Sequence, residues 1–212
     1  MKKIIIQNDL KEIIKDIDVS DANYVKAEQR YKSISNFIES SNMSVFNLDI
    51  YLQGSFKLGT AVKPLTEDGS YDIDIVCNFT KLRRTNQSQF SLKYDMGEVV
   101  KDYVKSKNMS DLAKESKRCW TINFVDEDNF HIDILPSVPM NDKDDGFIAI
   151  TDRENPKYLE ISNSWEVSNP KGYSAWFLEN AKFQTYKFLE SKRFYAQVEE
   201  IPDYKVRTPL QK

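Results

Sequence analysis

Hydrophobic residues recur at helical spacing at the start of the chain and at alternate positions through its middle. Ile6, Leu10, Ile13, Ile14 and Ile17 mark one face of an amphipathic helix, with Asn8 or Asp9 as its cap. A second helix, capped by Asp21, carries Tyr24, Ala27, Tyr31, Ile34 and Ile38 along one stripe, and the helix-poor residues Ser40 to Ser44 close it. The period then becomes two. Phe46, Leu48, Ile50 and Leu52 alternate with Asn47, Asp49, Tyr51 and Gln53, which predicts a half-buried strand broken at Gly54. Phe56 to Val62 is short enough for a helical turn, and Pro64 with Thr66-Glu67-Asp68-Gly69 supplies loop chemistry.

A second strand, Tyr71 to Phe79, places Tyr71, Ile73, Ile75 and Cys77 on one face and Asp72, Asp74 and Val76 on the other. After the polar, basic stretch Lys81 to Ser91, the spacing of Met96, Val99, Val100, Tyr103 and Val104 predicts a third helix that covers the sheet. Trp120, Ile122 and Phe124 alternate with polar residues. The acidic turn Asp126-Glu127-Asp128-Asn129 then leads into the alternating run Phe130 to Leu135, which is a hairpin signal. On the returning strand Phe130, Ile132 and Ile134 share one face, and His131 and Asp133 the other. Pro136 and Pro139 are expected to end that strand, and Phe147 to Ile150 to add an edge strand. Tyr173, Trp176, Phe177, Ala181, Thr185, Phe188 and Leu189 predict a long helix whose aromatic face packs against the body. Together these elements predict an α/β (α+β) fold, a mixed and mostly antiparallel sheet with helices packed on one face.

Composition narrows the function classes. With 212 residues, 40% hydrophobic and 30% charged, the chain has the make-up of an ordinary soluble globular protein. Its net charge of −3 gives no standing attraction for a phosphate backbone, so stable binding to long nucleic acid is not expected. Small anionic substrates remain open if a metal compensates locally. No apolar run approaches the roughly 20 residues that span a bilayer, so no membrane partner is expected and the predicted location is cytoplasmic. Cys77 and Cys119 fall in strand-like runs as reduced thiols, and no CxxC zinc signature exists. His131 is the only histidine, which excludes His-rich metal sites and makes any hydrolytic triad depend on it alone.

The candidate chemistry lies between Gln53 and Asp133. Asp72 and Asp74, one residue apart on a strand, point the same way, and such a pair of like charges is costly unless cations neutralise it. Asp133 has matching polarity on another strand, so three carboxylates converge if the two strands are neighbours. Magnesium prefers oxygen ligands and keeps several waters, so a few convergent carboxylates suffice to hold it. Gln53-Gly54-Ser55 lies where a strand runs into a short helix, a place where backbone N–H groups and a hydroxyl can cradle phosphate oxygens.

The order of Gly54-Ser55, then Asp72-Ile73-Asp74, then a later strand aspartate, Asp133, resembles the DNA polymerase beta-like nucleotidyltransferase superfamily. More narrowly, the chain is similar to the bacterial CD-NTases, the cyclic GMP-AMP synthase-like (SMODS) enzymes of antiphage defence. That likeness rests on Tyr51 through Pro64, Tyr71 through Ile75, His131 through Pro136, Asn169-Pro170-Lys171-Gly172-Tyr173 with Trp176-Phe177, and Thr208-Pro209-Leu210-Gln211. The resemblance implies a polymerase beta-like fold in which Asp72, Asp74 and Asp133 are catalytic and hold two magnesium ions, which manganese can replace. It further implies that Gln53, Gly54 and Ser55, with Lys57 to help neutralise charge, bind the triphosphate, and that Asp133 is nearest the attacking ribose hydroxyl. The implied activity is synthesis of cyclic di- or oligonucleotide second messengers from ribonucleoside triphosphates such as ATP or GTP, in CBASS antiphage defence, with a regulatory protein encoded nearby. Thr208-Pro209 reads as the start of a helix. Residues 1–205 are therefore expected to form the catalytic domain, and residues 206–212 to begin a C-terminal helical domain that this chain lacks. Two other readings stand beside this one: a superfamily transferase that modifies RNA, protein or a small molecule, and a catalytically silent nucleotide-sensing module.

Overall fold

The computed structural model describes residues 16–66, 69–125, 129–141 and 145–181. The N-terminal helix up to residue 15, turn residues Glu67, Asp68 and Asp126 to Asp128, the helix positions Thr185, Phe188 and Leu189, and the Thr208-Pro209 helix start lie outside those residues.

Helix α1, Asp21–Glu39, is capped by Ser20 and not by Asp21: the Ser20 hydroxyl accepts from Asn23 N at 3.2 Å. Asp21 instead sits in the first turn, where its charge favours the helix dipole. The predicted stripe is buried at Ala27, Tyr31, Ile34 and Ile38. Phe46 belongs to a short 3-10 helix, Asn42–Phe46, so the first strand starts two residues later than its alternation suggested. The strands are β1, Leu48–Gln53; β2, Tyr71–Phe79; β3, Lys114–Glu115; β4, Trp120–Phe124; β5, Phe130–Pro139; β6, Ile148–Ile150; and β7, Glu166–Ser168. The remaining helices are α2, Gly54–Leu58; α3, Gln89–Ser106, capped by Ser88; and α4, Pro170–Ala181. The helix covering the sheet thus begins inside the stretch that reads as polar connection, because Ser88 caps it.

The sheet runs β1-β2-β5-β4-β3, with β6 on β5 beyond the end of β4 and β7 on β6. The β2–β5 pair is parallel, and the other pairs are antiparallel. Ile73, Ile75, Ile132 and Ile134 are fully buried against α1 and α3 on one face. Burying each such side chain contributes about 1.5–3 kcal/mol, and a one-residue slip would expose all four. That alternation fixes the opposite face of β2 and β5, where Asp72, Asp74 and Asp133 stand.

Strand β5 passes through Pro136 to Pro139 rather than stopping at Leu135. The last β4 partner is Ile134 and the first β6 partner is Ser137, so Pro136 falls between the two neighbours on that side. A residue without an N–H is tolerated in such a gap. The aromatic stripe of α4 is not core either: Tyr173 and Trp176 are more than half exposed, and Ser174 and Ala181 are the buried positions of that helix. No described helix is long and apolar enough to cross a membrane.

Candidate active site

One row of cross-strand partners organises the site. Gln53 on β1 pairs with Asp74 on β2, Asp74 with Asp133 on β5, and Asp133 with Thr121 on β4. Asp72 stands one pleat away on β2, opposite His131. The parallel β2–β5 pairing therefore brings the three predicted aspartates together, and one carboxylate oxygen from each lies within 4.8 Å of the others.

Burial and mutual repulsion dominate the electrostatics of Asp72 and Asp74. Burial, then the charges of Asp72 and Asp133, push the Asp74 carboxyl up to about 7. Asp72 is also raised, by burial and by Asp133, with His131 opposing. Three clustered carboxylates, with Asp72 and Asp74 raised by burial and like charge, fit a divalent cation that prefers carboxylate oxygens. Asp133 accepts a 2.5 Å hydrogen bond from the Thr121 hydroxyl.

Strand β1 ends directly beside this cluster. Gln53 is the extended residue before α2, and Gly54 takes φ +64°, a left-handed conformation that glycine adopts without strain. A Cβ at Gly54 would overlap the Asp74 carboxylate, so the turn needs glycine for space as well as for conformation. Phe56 anchors α2 in the core, edge-on to Tyr24 at 5.6 Å, and Gly59 ends the helix in the left-handed region. Ser55 follows on the first turn of α2. Lys57 faces a pocket of about 260 Å³ between α2 and the start of α4, shared with Gln53, Gly54, Asn169, Pro170 and Tyr173. The start of α4 is held by the Asn169 side chain, which accepts from Gly172 N at 2.7 Å, and by Lys171, paired with Asp49 at 2.8 Å and placed over the Tyr51 ring.

Other nucleophiles are poorly placed for chemistry. Burial and the nearby Asp133 and Asp74 charges push the Cys119 thiol up to about 12, so it stays protonated near neutral pH. Cys77 is fully buried, its thiol raised by that burial, and both cysteines are free. Exposed His131 lies 3.2 Å from the Ser70 hydroxyl, but no carboxylate among the described residues hydrogen-bonds its ring to complete a triad.

Sequence reasoning missed Thr121, and it singled out Asn169 to Tyr173 by family likeness without placing Asn169, Pro170 and Tyr173 at this pocket. The signal for Thr121 lay in the hairpin: pairing Phe124 with Phe130 across the turn sets Thr121 opposite Asp133.

The family described as "Second Messenger Oligonucleotide or Dinucleotide Synthetase domain" matches residues 4–180. A c-di-GMP synthase of Roseivirga ehrenbergii is 28% identical over 210 residues, 98% of this chain and 52% of that enzyme. This chain thus spans about half the length of that relative. Among solved structures, Escherichia coli DncV in its 3'-deoxy GTP bound form superposes with a TM-score of 0.61 at 14% identity, covering 80% of this chain and 59% of that one. CdnC of E. coli MS115-1, solved with HORMA-deltaN, gives 0.58 at 16% identity, over 82% and 50%. The Bradyrhizobium diazoefficiens CD-NTase CdnG in complex with GTP gives 0.56 at 22% identity, over 76% and 43%. These likenesses carry the polymerase beta-like fold, and the family match reaches from before α1 into α4. The chain belongs to the SMODS family of CD-NTases.

Proposed function

We propose that the whole protein is a magnesium-dependent nucleotidyltransferase that makes cyclic di- or oligonucleotide second messengers from ribonucleoside triphosphates. The observation that carries this reading is the cluster of Asp72, Asp74 and Asp133, with oxygens within 4.8 Å, set directly against the Gly54 turn. In this proposal the three carboxylates hold two magnesium ions, which manganese can replace. Bound there, such ions neutralise triphosphate charge, favour the ionised ribose hydroxyl and stabilise the leaving pyrophosphate.

The chain's own groups supply position. Gln53 and the Gly54 and Ser55 backbone receive phosphate oxygens at the end of β1, the Ser55 hydroxyl adds a donor, and Lys57 brings positive charge from the pocket side. Asp133, between Asp74 and Thr121 in the row, is the carboxylate assigned nearest the attacking hydroxyl. Residues 1–205 form the catalytic unit in this reading, and residues 206–212 begin a helical domain that forms the other wall of the cleft.

The proposed setting is the cytoplasm, in CBASS antiphage defence, with a regulatory protein partner. The HORMA-deltaN complex of CdnC supports a partner of that kind. Chromatography of the products formed by the full-length protein from four ribonucleotides and magnesium tests the proposal. Cyclic products without an added acceptor are expected, whereas strict dependence on an RNA, protein or small-molecule acceptor would replace cyclisation by acceptor modification.

A further inference from the structure

The row Gln53-Asp74-Asp133-Thr121 does not end at a carboxylate. Thr121 Oγ1 donates to Asp133 Oδ1 at 2.5 Å, and Ser116 Oγ lies 2.9 Å from Thr121 Oγ1. A threonine hydroxyl has one proton, and here it is given to an oxygen that only accepts. Ser116 is therefore the donor in the second bond, and the hydroxyls point in one direction, from Ser116 through Thr121 to Asp133.

Ser116 is itself held from the other side of the sheet. Lys93 of α3 has a fully buried side chain, yet its ammonium reaches the carbonyls of Ser116 at 2.5 Å and Lys117 at 2.8 Å and lies 3.3 Å from a Glu115 oxygen. Trp120, next to Thr121, donates its indole N–H to the Lys93 carbonyl at 2.8 Å and packs where a Cβ on Gly97 would collide. Helix α3 thus fixes both ends of the segment from Ser116 to Trp120.

We infer that Thr121 is a positioning residue for Asp133, and that Ser116, anchored by buried Lys93, orients the Thr121 hydroxyl for that task. This rests on the proposal that Asp133 holds a catalytic metal ion. The hydrogen bond holds one oxygen of Asp133 and restricts the carboxylate's rotation, so its place in the cluster would be set before an ion binds. A carboxylate free to rotate would meet the ion in several orientations, each weaker. Ligand-orienting partners of this kind change metal affinity by about 10–100-fold when removed.

The test uses the full-length protein carrying Thr121→Val, Thr121→Ser, Ser116→Ala or Asp133→Asn. Valine keeps the shape and β-branching of threonine and loses the donor. Manganese affinity by calorimetry and the magnesium concentration for half-maximal pyrophosphate release are the readouts. Thr121→Val is expected to weaken both about tenfold, Ser116→Ala by a smaller factor, and Thr121→Ser to restore values within about twofold of wild type. Metal affinity and magnesium requirement unchanged in both Thr121→Val and Ser116→Ala would overturn the inference, as would a loss of melting temperature alone. Asp133→Asn separates the two claims: if it retains full activity, the catalytic reading of Asp133 fails, whatever Thr121 does.

Discussion

Gly54 and Asp74 occupy adjoining space so closely that a Cβ on Gly54 would lie 2.9 Å from Asp74 Cγ and nearer still to Oδ2. The Gly54 turn and the Asp74 carboxylate are therefore one packing unit. Their neighbours in the row, Gln53 and Asp133, flank Asp74 on either side.

Gly54→Ala is expected to displace the Asp74 carboxylate and to force alanine into a positive φ, at a cost of about 1–2 kcal/mol in stability. A misplacement of about 1 Å at a reacting centre lowers turnover about 100-fold. Pyrophosphate release and chemical denaturation of the full-length variant measure the two effects, and activity is expected to fall far more than stability.

The raised Asp74 pKa makes stability depend on pH when no metal is added. Asp74 binds its proton more tightly in the fold, with a pKa of about 7 against 3.8 for the free group. The folded state therefore holds more protons than the unfolded one between these values, and stability falls as pH rises. The contribution is fully present below about pH 4 and is lost as pH passes through about 7. In metal-free buffer Asp74→Asn, which carries no such charge, is expected to melt above wild type by a margin that grows between pH 4 and 7 and then levels. Magnesium is expected to narrow that margin, because the cation stabilises the ionised cluster.

Lys93→Met retains most of the buried stem and removes the ammonium that binds the Ser116 and Lys117 carbonyls. Loss of those bonds is expected to cost about 1–3 kcal/mol by urea denaturation. Because Lys93 also lies beneath Trp120, amide exchange should quicken over residues 116–121 before it does so in β2.

Alternation and turn chemistry made most of the site legible. Ile73 and Ile75 had to be buried, so Asp72 and Asp74 had to face the other way, and Ile132 and Ile134 assigned Asp133 by the same logic. What alternation does not show is which strands are neighbours. The parallel β2–β5 pairing that unites the triad is a long-range choice. Pro136 misled as a strand end because its lost donor matters only where a neighbour is present to accept. Tyr173 and Trp176 read as core because periodicity marks a hydrophobic stripe without saying what covers it. Ser20 displaced Asp21 as cap because both residue types accept, and only the backbone angle at Ser20 decides between them. Thr121 drew no notice because its role depends on the partner across the hairpin, which composition does not reveal.

The most direct test is pyrophosphate release by the full-length protein supplied with four ribonucleoside triphosphates and magnesium, compared with Asp74→Asn. Magnesium-dependent release is expected from the wild type, with a fall of about 100-fold or more in the variant. No release from the wild type under magnesium or manganese, or undiminished release from Asp74→Asn, would contradict this reading.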